Sequence, residues 1–324
     1  MHAQDVDIGL SSANKKVRLQ WAERKDFTPT KKHVKRGLLD ECWQVRRAWA
    51  QRMDFTPTKE QVERGLLDES WQVRRAWAQR MDFTPTKRQV GRGLLDSYKK
   101  VRMVWAERMD YTPTLKQVKR GMLDKALEVA EVWAKRADFP LTDEIVEMGL
   151  THEHKSIRRI WAERTDFTPT IEQIERGVLD ISMKVRRAWA MRMDFTPTLL
   201  PIALGLSDLC WEVKEKWIQR MDFTPTPEQI ERGLSSDDWW EREAWAKRTD
   251  YTPTPEQIER GLRDSFEYVV SAWVERDDMV WTEAQIQKGL KSRIQEVRWA
   301  WESVLRRQNE QSVDFLEETV FPSI

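Results

Sequence analysis

The chain has 324 residues, 34% of them charged and 40% hydrophobic, with 55 Lys plus Arg against 54 Asp plus Glu and a mean hydropathy of −0.72. No apolar run approaches the roughly 18 residues of a membrane-spanning helix, and 18 Trp separate the composition from that of disordered chains. The first residues lack the basic region and apolar core of a secretory signal, so a cytoplasmic location is expected.

Self-alignment gives the organisation before any single element does. Gly recurs at residues 9, 37, 65, 93, 121, 149, 177, 205, 233, 261 and 289, a constant step of 28 without insertion. Trp recurs in the same phase at residues 21, 49, 77, 105, 133, 161, 189, 217, 245, 273 and 301. Eleven copies of one unit therefore make a single repeat domain over residues 2–304, with 305–324 as a C-terminal cap or tail.

Each unit opens with a short helix. A Thr stands at its start in all ten copies from Thr30 to Thr282, and its hydroxyl suits the N-cap; after Thr226, Gln229 three residues later completes a capping box. In two units Pro227 and Pro255 follow the Thr and fit the first helical position. The repeat Gly is expected to end this helix in the left-handed conformation, and the Leu after it to make the accompanying apolar contact. Three residues past the Gly come Asp40, Asp68, Asp96, Asp124, Asp180, Asp208 and Asp264, or Ser12, Ser236 and Ser292, with His152 the exception. These read as N-caps of a second helix. In it Val45, Ala48, Trp49 and Arg52 share one face at i, i+3, i+4 and i+7, which predicts Val and Trp in the core. Replacing a core Trp such as Trp189 by Ala is then expected to cost about 3–5 kcal/mol.

Asp-x-x-x-x-Val-Arg-x-Ala-Trp-Ala-x-Arg, as in residues 40–52, resembles the second helix of HEAT-like repeats. The Pro-containing turn and short first helix are more similar to the leucine-rich repeat variant type. The resemblance implies an all-α, right-handed α-solenoid of eleven two-helix repeats of 28 residues. The longer unit, the Trp and the lack of a cysteine cluster depart from that type, so its iron–sulfur cofactor is not carried over and no cofactor is expected.

The Arg that follows each core Trp from Trp21 to Trp273 by three residues, as Arg52, is itself followed two residues later by Asp. This predicts Arg–Asp hydrogen bonds stitching neighbouring repeats rather than a phosphate-binding row. Two cysteines, Cys42 and Cys210, lie too far apart in a solenoid for a disulfide. The four histidines give no metal constellation beyond His152-x-His154, and no phosphate loop or nucleophile motif is present. No metal and no catalytic residue is therefore assigned.

Four positions between the Asp and the core Val vary freely. Trp43 with Arg47, Trp71 with Arg75, Lys99 with Met103, Met183 with Arg187 and Trp211 with Glu215 each share a helix face, and Trp239–Trp240 precede Glu241, which replaces the core Val. This stripe is either a partner-binding surface of aromatic and Arg anchors or a contact between layers. Charge drifts along the chain. Residues 1–100 hold 22 Lys plus Arg against 13 Asp plus Glu, and residues 201–324 hold 16 against 25. The reading favoured is a non-enzymatic scaffold binding another protein through Trp43, Arg47, Trp71, Arg75, Lys99, Met183, Arg187, Trp211, Trp239 and Trp240. The alternatives are nucleic-acid binding through the basic N-terminal third, head-to-tail self-association, or a catalytic HEAT-like domain.

Overall fold

In the computed structural model the described residues are 3–320, with side chains described over 4–310. Among them 22 helices and no strand are found, in the alternation of short first helix and second helix that the 28-residue period predicts. Two compact units divide the chain, one up to Phe167 and one from Thr168. Within each, a second helix packs on its own first helix and on the second helix of the next repeat, so the fold is an all-α solenoid of two-helix repeats.

The first helix is set by its cap. In Lys59–Leu66 the Thr58 hydroxyl accepts the Gln61 N–H at 3.3 Å, while the Gln61 carbonyl accepts the Thr58 N–H at 2.8 Å. Seven other first helices carry the same box. His33 supplies the third-residue acceptor in the box of Lys31–Leu38. Leu199–Leu206 has no such bond, because its third residue is Pro201 and offers no N–H.

The repeat Gly does not adopt the expected left-handed conformation. No described glycine has positive φ, and each repeat Gly lies inside or at the last residue of its helix. Its role is close approach. A Cβ on Gly65 would stand 2.1 Å from Trp77 Nε1, and the same collision recurs from Gly9 with Trp21 to Gly289 with Trp301. The bare Gly backbone is thus a slot for the indole of its own repeat. Nine of the indoles, from Trp49 to Trp273, are among the largest fully buried side chains, as the helical pattern predicts.

Asp40 and its equivalents are not the N-caps expected of them. The second helix Trp43–Ala50 begins three residues later, with Cys42 at the cap and no side-chain cap bond. Asp40 does fold the connection, its Oδ1 accepting the Cys42 N–H at 2.8 Å. Its principal partner is the preceding repeat: Arg18 holds the carboxylate with Nε at 2.7 Å and Nη2 at 3.0 Å. Arg46 holds Asp68, Arg74 holds Asp96 and Arg102 holds Asp124 in the first unit, as Arg186 holds Asp208 and Arg242 holds Asp264 in the second. These forked pairs are charge-assisted and largely shielded from water.

The other Arg row also differs from expectation. Arg80 pairs with Asp82 of its own repeat at 3.0 Å and 2.5 Å, so the Arg–Asp bond is internal. Stitching comes instead from the guanidinium to carbonyls of the preceding repeat, Ala50 at 2.9 Å, Phe55 at 3.1 Å and Arg52. The same group sits 4.7 Å from the Phe55 ring and 5.3 Å from the Trp77 ring. Burial of an Arg here is compensated on every side.

The final helix, Gln295–Val320, continues without a break through residue 308, where the sequence leaves the repeat. The side chains of Phe315, Leu316 and Val320, and all of Phe321, lie outside the described residues.

Candidate functional site

The variable stripe is both a contact between layers and a partly exposed surface. In the first unit Trp71 stacks on Tyr98 of the next repeat, centroids 5.5 Å apart and planes 19° apart, with the Lys100 ammonium 5.2 Å from the indole. Lys99 reaches Glu128 at 2.7 Å. Trp43 is half-buried against the core, Arg47 is exposed and Arg75 half-buried. These residues lie in successive repeats and do not converge on one point.

The second unit gathers them. Met183 Sδ lies 3.5 Å from Cys210 Sγ, and Arg187 is 3.8 Å from Glu212. Trp211 meets Trp240 at 6.0 Å, while Trp239 stacks on Phe266 at 5.8 Å and contacts Tyr268 at 5.4 Å. These five aromatic side chains thus form a cluster of two contact groups, Trp211 with Trp240 and Trp239 with Phe266 and Tyr268, joined through the adjacent positions of Trp239 and Trp240 on one helix. Trp211 is 54% exposed, Tyr268 50% and Phe266 40%. Phe266 and Tyr268 were not singled out by sequence. Their signal was position: each occupies the variable segment one repeat after Trp239–Trp240.

Beneath this cluster the core is altered in a balanced way. Lys214 stands where other repeats place the bridging Arg, and Ser236 where they place its Asp. The missing carboxylate reappears at Glu241, in the core Val position. Glu241 is 6% exposed and accepts from Lys214 Nζ at 2.9 Å and from Ser236 Oγ at 3.0 Å. The charge is therefore relocated rather than lost, and Trp239 and Trp240 open a helix of the same length as Trp43–Ala50.

A second surface was missed by the sequence reading. In the Gly-Leu-Leu-Asp segments, and in Gly121-Met122-Leu123-Asp124, only the residue after the Gly turns inward; Leu39, Leu67, Leu95 and Leu123 are exposed in a row in the first unit. A groove of about 620 Å³ opens beside the last two, lined by Gly91, Leu95, Lys116, Arg120, Leu123 and Lys125. The corresponding groove of the second unit carries Ser235 and Arg263 in place of the two leucines.

Few titrating groups are displaced. Burial pushes the Tyr111 and Tyr251 phenols up to about 12, each donating to the carbonyl of the core Trp of its own repeat. Glu231 is held at about 2, chiefly by hydrogen bonds from Arg260 and Gln257. Cys42 and Cys210 are free thiols. Among the described residues no group of three or more His, Cys, Asp or Glu is placed to hold a metal ion, and no helix is long and apolar enough to cross a membrane.

Comparison with solved structures finds this fold similar to a leucine-rich repeat variant with a novel repetitive structural motif. The match has 20% sequence identity and a TM-score of 0.50, and covers 71% of this chain and 82% of the other. The fold is that of a helical repeat protein. No protein-family model and no curated protein matches the sequence. At this identity the likeness bears on architecture, and the stripe must be judged on its own chemistry.

Proposed function

We propose that the chain is a non-enzymatic scaffold that binds another protein along the variable starts of its second helices. Solenoids offer extended surfaces of this kind, in which conserved positions build the stack and variable ones face the partner. The observation that carries the reading is the aromatic cluster of the second unit, Trp211, Trp239, Trp240, Phe266 and Tyr268, with three of its members at least 40% exposed. Grouped aromatic side chains that retain access to solvent are what hot spots of protein interfaces are made of, since each buries a large area with few rotatable bonds. In the same reading Trp43, Arg47, Trp71, Arg75, Lys99, Met183 and Arg187 extend the surface along the other repeats.

Affinity capture from native lysate, with and without nuclease, tests this against the combined substitution Trp211→Ser, Phe266→Ser and Tyr268→Ser. The expected result is a nuclease-resistant protein partner that the triple variant loses while its helical circular dichroism is unchanged. Retention by the triple variant, or partners that vanish with nuclease, would overturn the reading.

A further inference from the structure

At one junction in each unit, neighbouring first helices are stapled to one another by a carboxylate. Glu63 accepts from Gln89 Nε2 at 2.9 Å and from Arg92 Nη2 at 2.6 Å, both on the next first helix. The second unit repeats the device with Glu231, which accepts from Gln257 at 3.0 Å and from Arg260 at 2.8 Å. One repeat after Glu63 the same position is Gly91, the one glycine outside the 28-residue series. Gln117 and Arg120 stand on the following helix where Gln89 and Arg92 stand for Glu63, but the carboxylate they would hold is missing.

What replaces it is space. A Cβ on Gly91 would meet nothing within 4 Å, in contrast to every other glycine of the chain. The opening is the groove of about 620 Å³, a volume in the range of ligand sites. Its walls combine exposed Leu95 and Leu123 with Lys116, Arg120 and Lys125. Two carboxylates at its edge, Asp96 and Asp124, are already committed to Arg74 and Arg102, so the groove keeps a cationic character. The strength of such a donor pair is visible at Glu231, whose carboxyl is held at about 2 by the equivalent Arg and Gln.

We propose that the groove at Gly91 binds an extended, acidic segment of a partner protein, whose Asp or Glu carboxylate takes the place of the missing staple on Arg120 and Gln117 while its apolar side chains cover Leu95 and Leu123. This rests on the reading of the chain as a protein-binding scaffold but uses a different surface, in the first unit. Leu95 and Leu123 are one repeat apart, and packed helices are spaced by about 8–10 Å. A polyproline-II extended chain advances about 3.1 Å per residue with three residues per turn, so apolar residues at i and i+3 share one face about 9 Å apart, with an acid between them turned to the side, and match the groove. Nucleic acid fits less well, because the exposed apolar side chains here are aliphatic and the indole at the groove floor, Trp133, is buried.

The test is fluorescence anisotropy of the full chain with a labelled peptide Gly-Ser-Leu-Glu-Ser-Leu-Ser-Gly, against the same peptide with Gln for Glu and against a single-stranded oligothymidylate. Saturable binding is expected, weakened about tenfold or more by the Gln peptide, by Arg120→Gln and by Gly91→Glu. The last supplies the carboxylate within the chain and should melt no lower than the parent. Gly91→Ala should bind as the parent does. No saturation by about 1 mM peptide, undiminished binding by both Gly91→Glu and Arg120→Gln, or displacement of the peptide by the oligonucleotide at the same groove would overturn the proposal. None of these outcomes touches the aromatic cluster, whose partner is tested by capture with the triple variant.

Discussion

Gly91 and Gly93 lie two residues apart on one short helix, Lys87–Gly93, and the same substitution at each should have opposite signs. Ala is the better helix former by about 1 kcal/mol, and at Gly91 its methyl meets nothing within 4 Å, so Gly91→Ala is expected to stabilise by about 0.5–1 kcal/mol. At Gly93 the methyl would stand 2.1 Å from Trp105 Nε1 and 2.2 Å from Cδ1. Trp105 is 2% exposed and cannot swing into solvent, so either the indole leaves its rotamer or the helices part. Overpacking of that kind costs about 1–3 kcal/mol and overrides the propensity gain. The propensity gain is common to both positions, so the two variants should differ by the overpacking cost alone, about 1–3 kcal/mol. Urea unfolding followed by circular dichroism measures the difference, with amide exchange in the repeats around Trp105 as a local readout, since long repeat arrays need not unfold in two states. If Gly93→Ala proved as stable as Gly91→Ala, the reading of the repeat Gly as a slot for indole would be wrong.

Three further expectations follow from the packing. Lys214→Met leaves the Glu241 carboxylate buried with only Ser236 as partner and should lower stability by about 3 kcal/mol. Changing Lys214→Arg, Ser236→Asp and Glu241→Val together restores the bridge used elsewhere and should recover it, as equilibrium unfolding of both variants would show. Trp189→Ala empties a site that is 1% exposed and should cost about 3–5 kcal/mol in the same assay. Finally, the Tyr111 and Tyr251 phenols are raised from 10.0 to about 12 by burial. Folding thus favours their protonated form: this contribution is complete below pH 10 and is lost as pH rises from about 10 to 12. Melting temperatures of Tyr111→Phe with Tyr251→Phe, measured across that interval, should fall less steeply than those of the parent.

Much of the architecture was legible because capping and burial leave local marks. Thr58 with Gln61 is a cap that two residues reveal, and the interval from Val45 to Trp49 shows a buried face without reference to any partner. Gly65 was misread because a glycine near a helix end has the same appearance whether it is needed for φ or for closeness. The constant interval of 12 residues to Trp77 was the distinguishing sign. Asp40 was misread for a similar reason, as its short-range bond to Cys42 is of the type expected for a cap while its stronger partner, Arg18, lies in another repeat. That pairing was nevertheless written in the sequence. Ala130 accompanies His152, Lys214 accompanies Ser236 and Val270 accompanies Ser292, so the Asp is absent wherever the preceding Arg is. For the candidate site, variation marked Trp211 and Trp239 as unconstrained by the stack. Their meeting with Trp240, Phe266 and Tyr268 depends on the lateral offset of adjacent helices, which no single repeat encodes.

The Arg–Asp bridge also bears on how such an array can grow. A repeat with Asp at its front and Arg at its back presents complementary ends, so tandem duplication of it recreates a compatible junction wherever the copy is inserted. Junctions of altered chemistry do not have this freedom. Lys214 is matched to the Ser236 and Glu241 that follow it, and a copy of either repeat alone would set Lys214 against Asp208 or Arg242 against Glu241, pairings found at no existing junction. Ordinary repeats are thus free monomers of a polymer, whereas the pair beneath the aromatic cluster keeps its own junction chemistry when copied as a two-repeat cassette.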